Sequence, residues 1–400
     1  MTSAPAVRAQ RSDCDTIILG GGPVGLALAA ALAREKLSVA LVDRADLVAR
    51  ERNAGDDGWD ARVYAVSPGS AEFLRSLGGW QRLPADRLAA IEAMDVFGDT
   101  SGRIRFAAYE IGERALAWIV ENRELMAALT ESVRTDEGIE VIARCEPQAI
   151  LWHADRAELR LADGRVLIAR LIVGADGLHS WARNQAGIVH APRSYGQIAV
   201  VANFETERAH RGCAFQWFLA DRGVLAWLPL PGRRISIVWS APEALAHELL
   251  SLDESALSER VEAAGVQTLG KLRVITPAAS FPLSYLKLPS VVAPRLALVG
   301  DAAHGVHPLA GQGVNLGFGD AAALAGVLAQ RGPLADVGAA ILLERYARLR
   351  ALPVLGMQFV TDALVRLFDA RPLKALRNQG MRAVGSFSPL RRLLASAPLR

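Results

Sequence analysis

Residues 298–320 read LVGDAAHGVHPLAGQGVNLGFGD. A short apolar run, Leu296 to Val299, leads into Gly300-Asp301 and predicts a strand that delivers a carboxylate at a sheet edge. Two histidines and a proline follow, and then a helix-forming run over residues 320–330. Glycines at 305, 311, 313, 317 and 319 let main chain come close to a flat, bulky partner that Cβ atoms would hold away. Asp301 stands where an acceptor can meet a polyol or ribose hydroxyl. A Gly-rich lid or a plain surface loop is the alternative, although so apolar a loop is seldom only a connector.

The start of the chain asks for the same close approach. Residues 15–19, DTIIL, predict a strand, and 20–25, GGGPVG, a glycine turn. An Ala/Leu-rich helix then runs to about Lys36, and 38–42 form a second strand closing on Asp43. Strand, glycine turn, helix, strand and acidic residue in this order make a Rossmann-like dinucleotide unit and an α/β fold. Gly20 serves the tight turn, Gly22 lets the backbone reach a pyrophosphate, and Gly25 seats the helix on the strand. Pro23 and Val24 open that helix, whose N-terminus favours phosphate charge. Asp43, followed by Arg44, is the candidate partner of the adenosine ribose. A GxGxxG alone is a weak signal; its flanking elements make it a nucleotide site.

A third segment, residues 171–183, reads LIVGADGLHSWAR. Its strand ends in Gly-Ala-Asp-Gly and places Asp176 at the carboxyl edge of a sheet, where open α/β sheets bind ligands. Ser180 and Arg183 are expected to fix the turn and helix behind it. Taken alone, GADG is as well explained by a strand-end turn.

In combination, GDAAH with HPLAGQGVNLG, GGGPVG and GADG resemble the motifs of FAD-dependent aromatic hydroxylases of the para-hydroxybenzoate hydroxylase type. The wording HPLAGQGVNLG resembles the ubiquinone-biosynthesis hydroxylases (UbiH/UbiF type). The resemblance covers most of the chain and implies a glutathione reductase-type FAD-binding domain. It implies FAD contacts at Gly20, Gly22, Pro23, Val24, Gly25, Asp43, Arg44, Asp176, Gly300, Asp301, Gly311, Gly313, Val314 and Asn315. Residues 60–67, DARVYAVS, are similar to the family's DxR segment, which puts Arg62 beside the pyrophosphate as a bidentate donor that keeps its charge; a surface ion pair is the competing role. Arg123, at a predicted helix start, is a second-rank cofactor contact, and capping by Asn122 explains that start equally well. Two departures stand out. The family more often has Glu where this chain has Asp43, and it commonly reads NLGxRD where this chain has Gly319 in place of Arg. The second puts the anchoring of the loop, and the substrate, in question.

Between these segments the pattern is strand-like. Met94, Val96, Ile104 and Phe106 are candidate inward positions, and strands are expected over 139–143, 149–152, 158–161, 166–169, 198–204, 213–219, 224–230, 235–239 and 273–281. Consecutive hairpins from 198 to 239 predict an antiparallel substrate sheet. Its Phe215, Trp217, Trp227 and Trp239 suit either a cover for a ring-shaped substrate or ordinary core. Helices are expected over 241–265, 337–350 and 354–370, the last with an apolar stripe read as a packing face. The division implied is a discontinuous FAD-binding domain (13–80, 115–190 and 285–350), a substrate domain (81–114 and 191–284) and C-terminal helices (351–400).

Composition narrows the function. Three dispersed cysteines without CxxC argue for a reducing compartment, and seven scattered histidines without ligand spacing predict no metal. The uncharged run 16–33 is interrupted near its start by Gly20-Gly21-Gly22-Pro23, so neither a signal peptide nor a membrane span is expected there. Residues 1–12 read as a loose tail. Net charge is +3, yet residues 371–400 carry seven Lys/Arg and no Asp/Glu, a tail fit for an anionic membrane or an acidic partner, or simply a solvated face. No motif accompanies it that would bind nucleic acid. A cytoplasmic protein, peripheral at the inner membrane through that tail, is the expected setting.

The resemblance further implies that NAD(P)H reduces the FAD and that one atom of O2 is transferred to an electron-rich aromatic ring. Pro308 and the backbone of 309–313 would wall the reactive edge, and His307 is the candidate proton-transfer group beside it; His304, inside the cofactor motif, is structural. A polyprenylated phenol or quinol precursor of ubiquinone is the leading substrate. A small soluble phenol is the rival, and a catalytically idle flavoprotein scaffold is an answer of another class. A halogenase is disfavoured because no WxWxIP occurs, the nearest string being AWLPL at 226–230.

Overall fold

The structure is a computed structural model describing residues 11–47, 58–100, 102–307, 309–332 and 334–369. Pro308 and the basic tail 371–400 therefore lie outside the described residues, as do residues 1–10 of the expected loose tail. Residues 11 and 12 of that tail belong instead to the first strand.

Five strands, Leu296–Leu298, Val166–Gly174, Arg11–Leu19, Val39–Val42 and Ile139–Ile142, lie side by side in that order, all parallel. Their near-continuous apolar sequences follow from cover on both faces. Ile18, Val39, Leu41, Leu171 and Val173 face the helices Pro23–Arg34 and Gly313–Ala329. Ile17, Leu19, Ala40, Val42 and Ile172 face residues of an antiparallel meander, including Ile150 and Leu159. That meander, Pro147–Trp152 and Ala157–Leu161, pairs with the first half of Val166–Gly174. One strand thus spans two stretches that the sequence divides, and Gly174 ends it at the parallel sheet's carboxyl edge.

The second sheet runs from Leu272–Val274 through Arg193–Thr206, Arg234–Pro242, Gly223–Leu230, Cys213–Leu219 and Ala93–Phe97 to Arg103–Ala107, with Ala279–Tyr285 also on Arg193–Thr206. The expected hairpins are present, but the sheet is not wholly antiparallel, because Cys213–Leu219 pairs in parallel with Ala93–Phe97. Its two faces differ in use. Phe215, Trp217, Trp227 and Trp239 pack beneath the helices Glu243–Ser251 and Glu254–Ala264, and a Cβ on Gly265 would lie 2.1 Å from the Trp227 ring. These aromatics are core, not a substrate cover. The opposite face presents Val96, Phe218 and Val224 to Leu309 of the Gly-rich loop, with Met94, Ile104 and Phe106 packed alongside.

Helix boundaries depart from the pattern in three places. The expected helix 241–265 is two helices, the second capped by the Asp253 side chain, which accepts from the Ala256 N–H at 2.8 Å. The helix expected from 320 begins at Gly313, since its glycines are drawn into close packing: a Cβ on Gly317 would lie 2.5 Å from Val24. The two helices expected after 337 are one, Ala340–Asp369, with Pro353 inside it and turned to solvent. Its buried side chains include Leu343, Tyr346, Gln358 and Thr361; of the expected stripe Val360 is exposed, Met357, Leu364 and Leu367 are half-buried, and Leu364 packs beside Leu309.

Candidate cofactor cleft

The three motifs meet at the carboxyl ends of adjacent strands. Gly20 has φ +108°, and a Cβ there would lie 2.4 Å from the Ala175 carbonyl oxygen, so the first turn rests on the GADG turn. Val24, in the first helical turn, lies within 3.4 Å of the Cβ position on Gly300. Arg183, 2% exposed, donates to the Ala302 carbonyl at 3.0 Å and so ties GADG to GDAAH. Ser180 caps the short helix carrying Arg183, its hydroxyl accepting from the Arg183 N–H at 3.0 Å. Strand order brings these segments together; the side chains fasten them.

The helix Pro23–Arg34 starts at Gly22 with no side-chain cap, which leaves its first amides for an anion. Unlike Gly20 or Gly25, Gly22 has open space where a Cβ would stand. The half-buried Asp43 accepts from the Gly21 N–H at 2.5 Å and the Ala45 N–H at 2.6 Å, holding the glycine turn to the second strand. Arg44 beside it is exposed. Asp176 accepts from the Ala182 N–H at 3.0 Å through one carboxylate oxygen; the other is buried with no partner among the described residues. Uncapped amides, a glycine facing open space and an acceptor awaiting a donor together fit a dinucleotide with polyol hydroxyls.

Asp301 is reached by solvent although protein surrounds it, the condition of a group on the floor of a cleft. That enclosure raises its carboxyl pKa, against the opposing charges of His304 and Arg62. Arg62 is exposed and lies over the rings of Tyr64 (5.3 Å) and Phe281 (5.6 Å). Asp60 fixes its main chain, accepting from the Arg62 N–H at 2.9 Å and the Arg123 N–H at 3.0 Å. The Arg123 guanidinium donates to the Gly58 carbonyl at 2.6 Å and stands near Glu121 and Glu124. It braces the loop before Asp60. Asn122 is not a cap: Glu121 precedes the helix without a capping bond, and the Asn122 side chain accepts from the Tyr64 hydroxyl at 3.2 Å.

In the Gly-rich loop, Gly311 takes φ +63° and abuts Ala65. Gly313 and Val314 open the uncapped helix Gly313–Ala329. The Asn315 side chain accepts from the Ser67 N–H at 2.9 Å and donates to the Ala65 carbonyl at 2.8 Å, stapling this helix to the strand that follows Arg62. His307 is fully buried. Its Nδ1 accepts the Leu309 N–H at 3.3 Å, so Nε2 donates to Gln197 Oε1 at 2.9 Å. Burial pushes its pKa down to about 4, which keeps the ring neutral near pH 7.

Under the strand end lies a charged cluster that the sequence did not disclose. Asp320 accepts from the Gly300 N–H at 2.9 Å, from His304 at 2.6 Å and from Arg350 at 2.7 Å. Burial works against both ionised partners, yet their mutual attraction prevails and holds His304 above and Asp320 below its ordinary pKa. Gly319, where the resemblance expects Arg, faces the Arg350 guanidinium. Asp60 and Asp320 lie within motifs and could have been singled out, as Arg183 was. Arg350 and Gln197 carry no local signal. No group of side chains among the described residues could hold a metal ion.

Comparison with known proteins agrees with this geometry. Residues 13–357 match the FAD binding domain family. The chain is 38% identical over 383 residues to a ubiquinone hydroxylase, UbiL, of Rhodospirillum rubrum, covering 95% of this chain and 88% of that protein. It is 33% identical over 381 residues to the 3-demethoxyubiquinol 3-hydroxylase of Escherichia coli K12, covering 94% and 95%. Among solved structures, the fold is similar to PqsL, a probable FAD-dependent monooxygenase of Pseudomonas aeruginosa, with TM-score 0.76 and 24% identity over 93% of this chain and 100% of that one. The chain belongs to the FAD binding domain family, together with the flavin-dependent hydroxylases of ubiquinone biosynthesis.

Proposed function

We propose that this chain uses FAD, NAD(P)H and O2 to hydroxylate an aromatic ring of a polyprenylated phenol or quinol on the way to ubiquinone. The observation that carries the reading is the meeting of Gly20, Asp176 and Gly300 at one strand edge, with the names of the relatives in support. When bound, FAD supplies the redox chemistry, taking reducing equivalents from NAD(P)H and passing one oxygen atom of O2 to the ring.

The protein's part is to bind, orient and keep out water. The Gly22–Val24 turn and Arg62 take the pyrophosphate, and Asp43 with Arg44 the adenosine end. Asp176 and Asp301 take polyol hydroxyls, while Arg123 acts one layer back. The amides from Gly311 to Val314 would supply donors to the flavin ring, where they would stabilise negative charge. His307, neutral and bonded at both nitrogens, holds this loop's shape in preference to moving a proton. The second sheet, which we read as the substrate unit, offers an apolar face of Val96, Phe218 and Val224 beside Leu309, suited to a prenyl-bearing ring. A peripheral contact with a lipid surface fits this substrate. Its support is the basic segment 371–400 and the exposed Leu352, Leu355 and Phe359 of the last helix. No helix among the described residues is long and apolar enough to cross a membrane.

The test is to supply purified, FAD-loaded protein with NAD(P)H, O2 and a short-chain prenylated phenol. Hydroxylated product matching NAD(P)H consumed, with little peroxide released, is expected. Full conversion of the reducing equivalents to peroxide, with the phenol unchanged, would contradict the proposal. Equal turnover of an unprenylated phenol would transfer it to small soluble substrates.

A further inference from the structure

The helix Ala340–Asp369 bonds the segment 298–305 at two places along its length and, between them, the helix Gly313–Ala329. The buried Tyr346 hydroxyl donates to the Leu298 carbonyl at 2.7 Å. Arg350, one turn on, donates to Asp320 Oδ1 at 2.7 Å and to the Leu316 carbonyl at 3.0 Å. Two turns further, Gln358 donates to the Leu286 carbonyl at 2.7 Å and more weakly to the Gly305 carbonyl at 3.4 Å. The middle contact carries the charge. Asp320 is 0% exposed, and its second oxygen receives both the Gly300 N–H and His304. Removing one member of such a buried set leaves charge without a counterpart, so its geometry is strongly held. Space for it exists because residue 319 has no side chain: a Cβ there would lie 2.8 Å from one Arg350 nitrogen and 3.1 Å from its central carbon.

We propose that Arg350 is a positioning residue for the cofactor cleft, acting through Asp320 on the turn that presents Asp301, and that glycine at 319 admits its guanidinium. It touches no reacting group. Its effect passes from the last helix through Asp320 to the Gly300 amide, and so to the carboxylate on the cleft floor. Arg350 also keeps Asp320 paired when His304 loses its proton. The charged and titratable groups gathered there are Asp301, Asp320, His304, Arg350, Tyr346 and Arg62. Without Arg350, deprotonation of His304 would leave Asp320 negative and unmatched beneath Asp301 and a phosphate-bearing ligand. FAD affinity should then fall as pH rises, whereas in the parent chain it should stay level.

The inference rests on FAD occupying this cleft, and the experiment separates the two. Apoprotein of the parent, Arg350→Met, Arg350→Lys and Gly319→Ala is titrated with FAD by flavin fluorescence from pH 6 to 9, with thermal melts alongside. Arg350→Met should weaken binding by about tenfold at neutral pH, equivalent to about 1.4 kcal/mol, and further as pH rises. Arg350→Lys should recover most of the affinity and the level pH profile. Gly319→Ala should weaken binding with every charge still present, by displacing the guanidinium. Parental affinity and a level profile in Arg350→Met would overturn the proposal. If that variant does not fold, parental affinity in Gly319→Ala would overturn it equally. A parent chain that takes up no FAD would instead refute the flavin reading.

Discussion

The glycines of the first turn do different work, and their substitutions should separate accordingly. A Cβ on Gly25 would lie 1.9 Å from the Gly20 carbonyl oxygen, so Gly25→Ala strains the fold itself. Gly22, with φ −68° and open space ahead of it, accepts alanine without strain in the empty protein. Gly22→Ala should therefore melt as the parent does without cofactor yet bind FAD at least about tenfold more weakly, a loss of about 1.4 kcal/mol. Melting curves and flavin titration of the two variants check this; a Gly22→Ala protein of parental affinity would remove the pyrophosphate from this turn. The packing role of Gly25 was legible in the sequence because it is set by Gly20, five residues before it. The partners of Arg183 and Asp60 were not, since the Ala302 carbonyl lies 119 residues away along the chain and the Arg123 amide 63.

Among elements, strands were read more accurately than helices, for a physical reason. Ile17, Ile18 and Leu19 are buried on both faces, so this strand reads as a short continuous run of apolar, β-favouring residues ended by Gly20. The glycines of 313–319 signal loop by propensity, but contact with Val24 and Gly300 folds them into a helix, and tertiary packing outweighs propensity there. Pro353 reads as a break, yet it sits on the solvent side of a helix whose other face is fastened at Tyr346, Arg350 and Gln358. The loop ahead of Gly313 has a testable acid weakness through His307. Its folded pKa of about 4 lies below the ordinary 6.5, so between these values the unfolded chain takes up a proton that the folded one refuses. Stability should fall as pH drops through that window, by about 2 kcal/mol at pH 5 from this group. In His307→Gln the difference in unfolding free energy between pH 7 and pH 5, from denaturant titration, should shrink by about that amount. An unchanged difference would mean that the ring is not held neutral.

Over the whole molecule, the two large sheets divide the work, with a small third sheet, Val63–Val66, Ala117–Glu121 and Ala89–Ile91, beside them. The chain crosses from one to the other and back, and Asn203 of the second sheet donates to the Asp60 carbonyl at 2.9 Å beside the Arg62 segment. Cofactor cleft and apolar sheet face are thereby set against each other through Leu309. The hairpins of 198–239 announced a sheet of their own, and the resemblance of the motifs implied one cleft. Neither disclosed the orientation of the aromatic sheet, because period-two patterning marks two faces without saying which meets the cofactor. The central claim is that three distant segments form a single FAD cleft. Hydrogen–deuterium exchange during FAD titration tests it most directly. Amides of residues 20–25, 175–180 and 300–315 should gain protection together, with one midpoint and one FAD per chain. Protection confined to one segment, or separate midpoints for the three, would contradict the account.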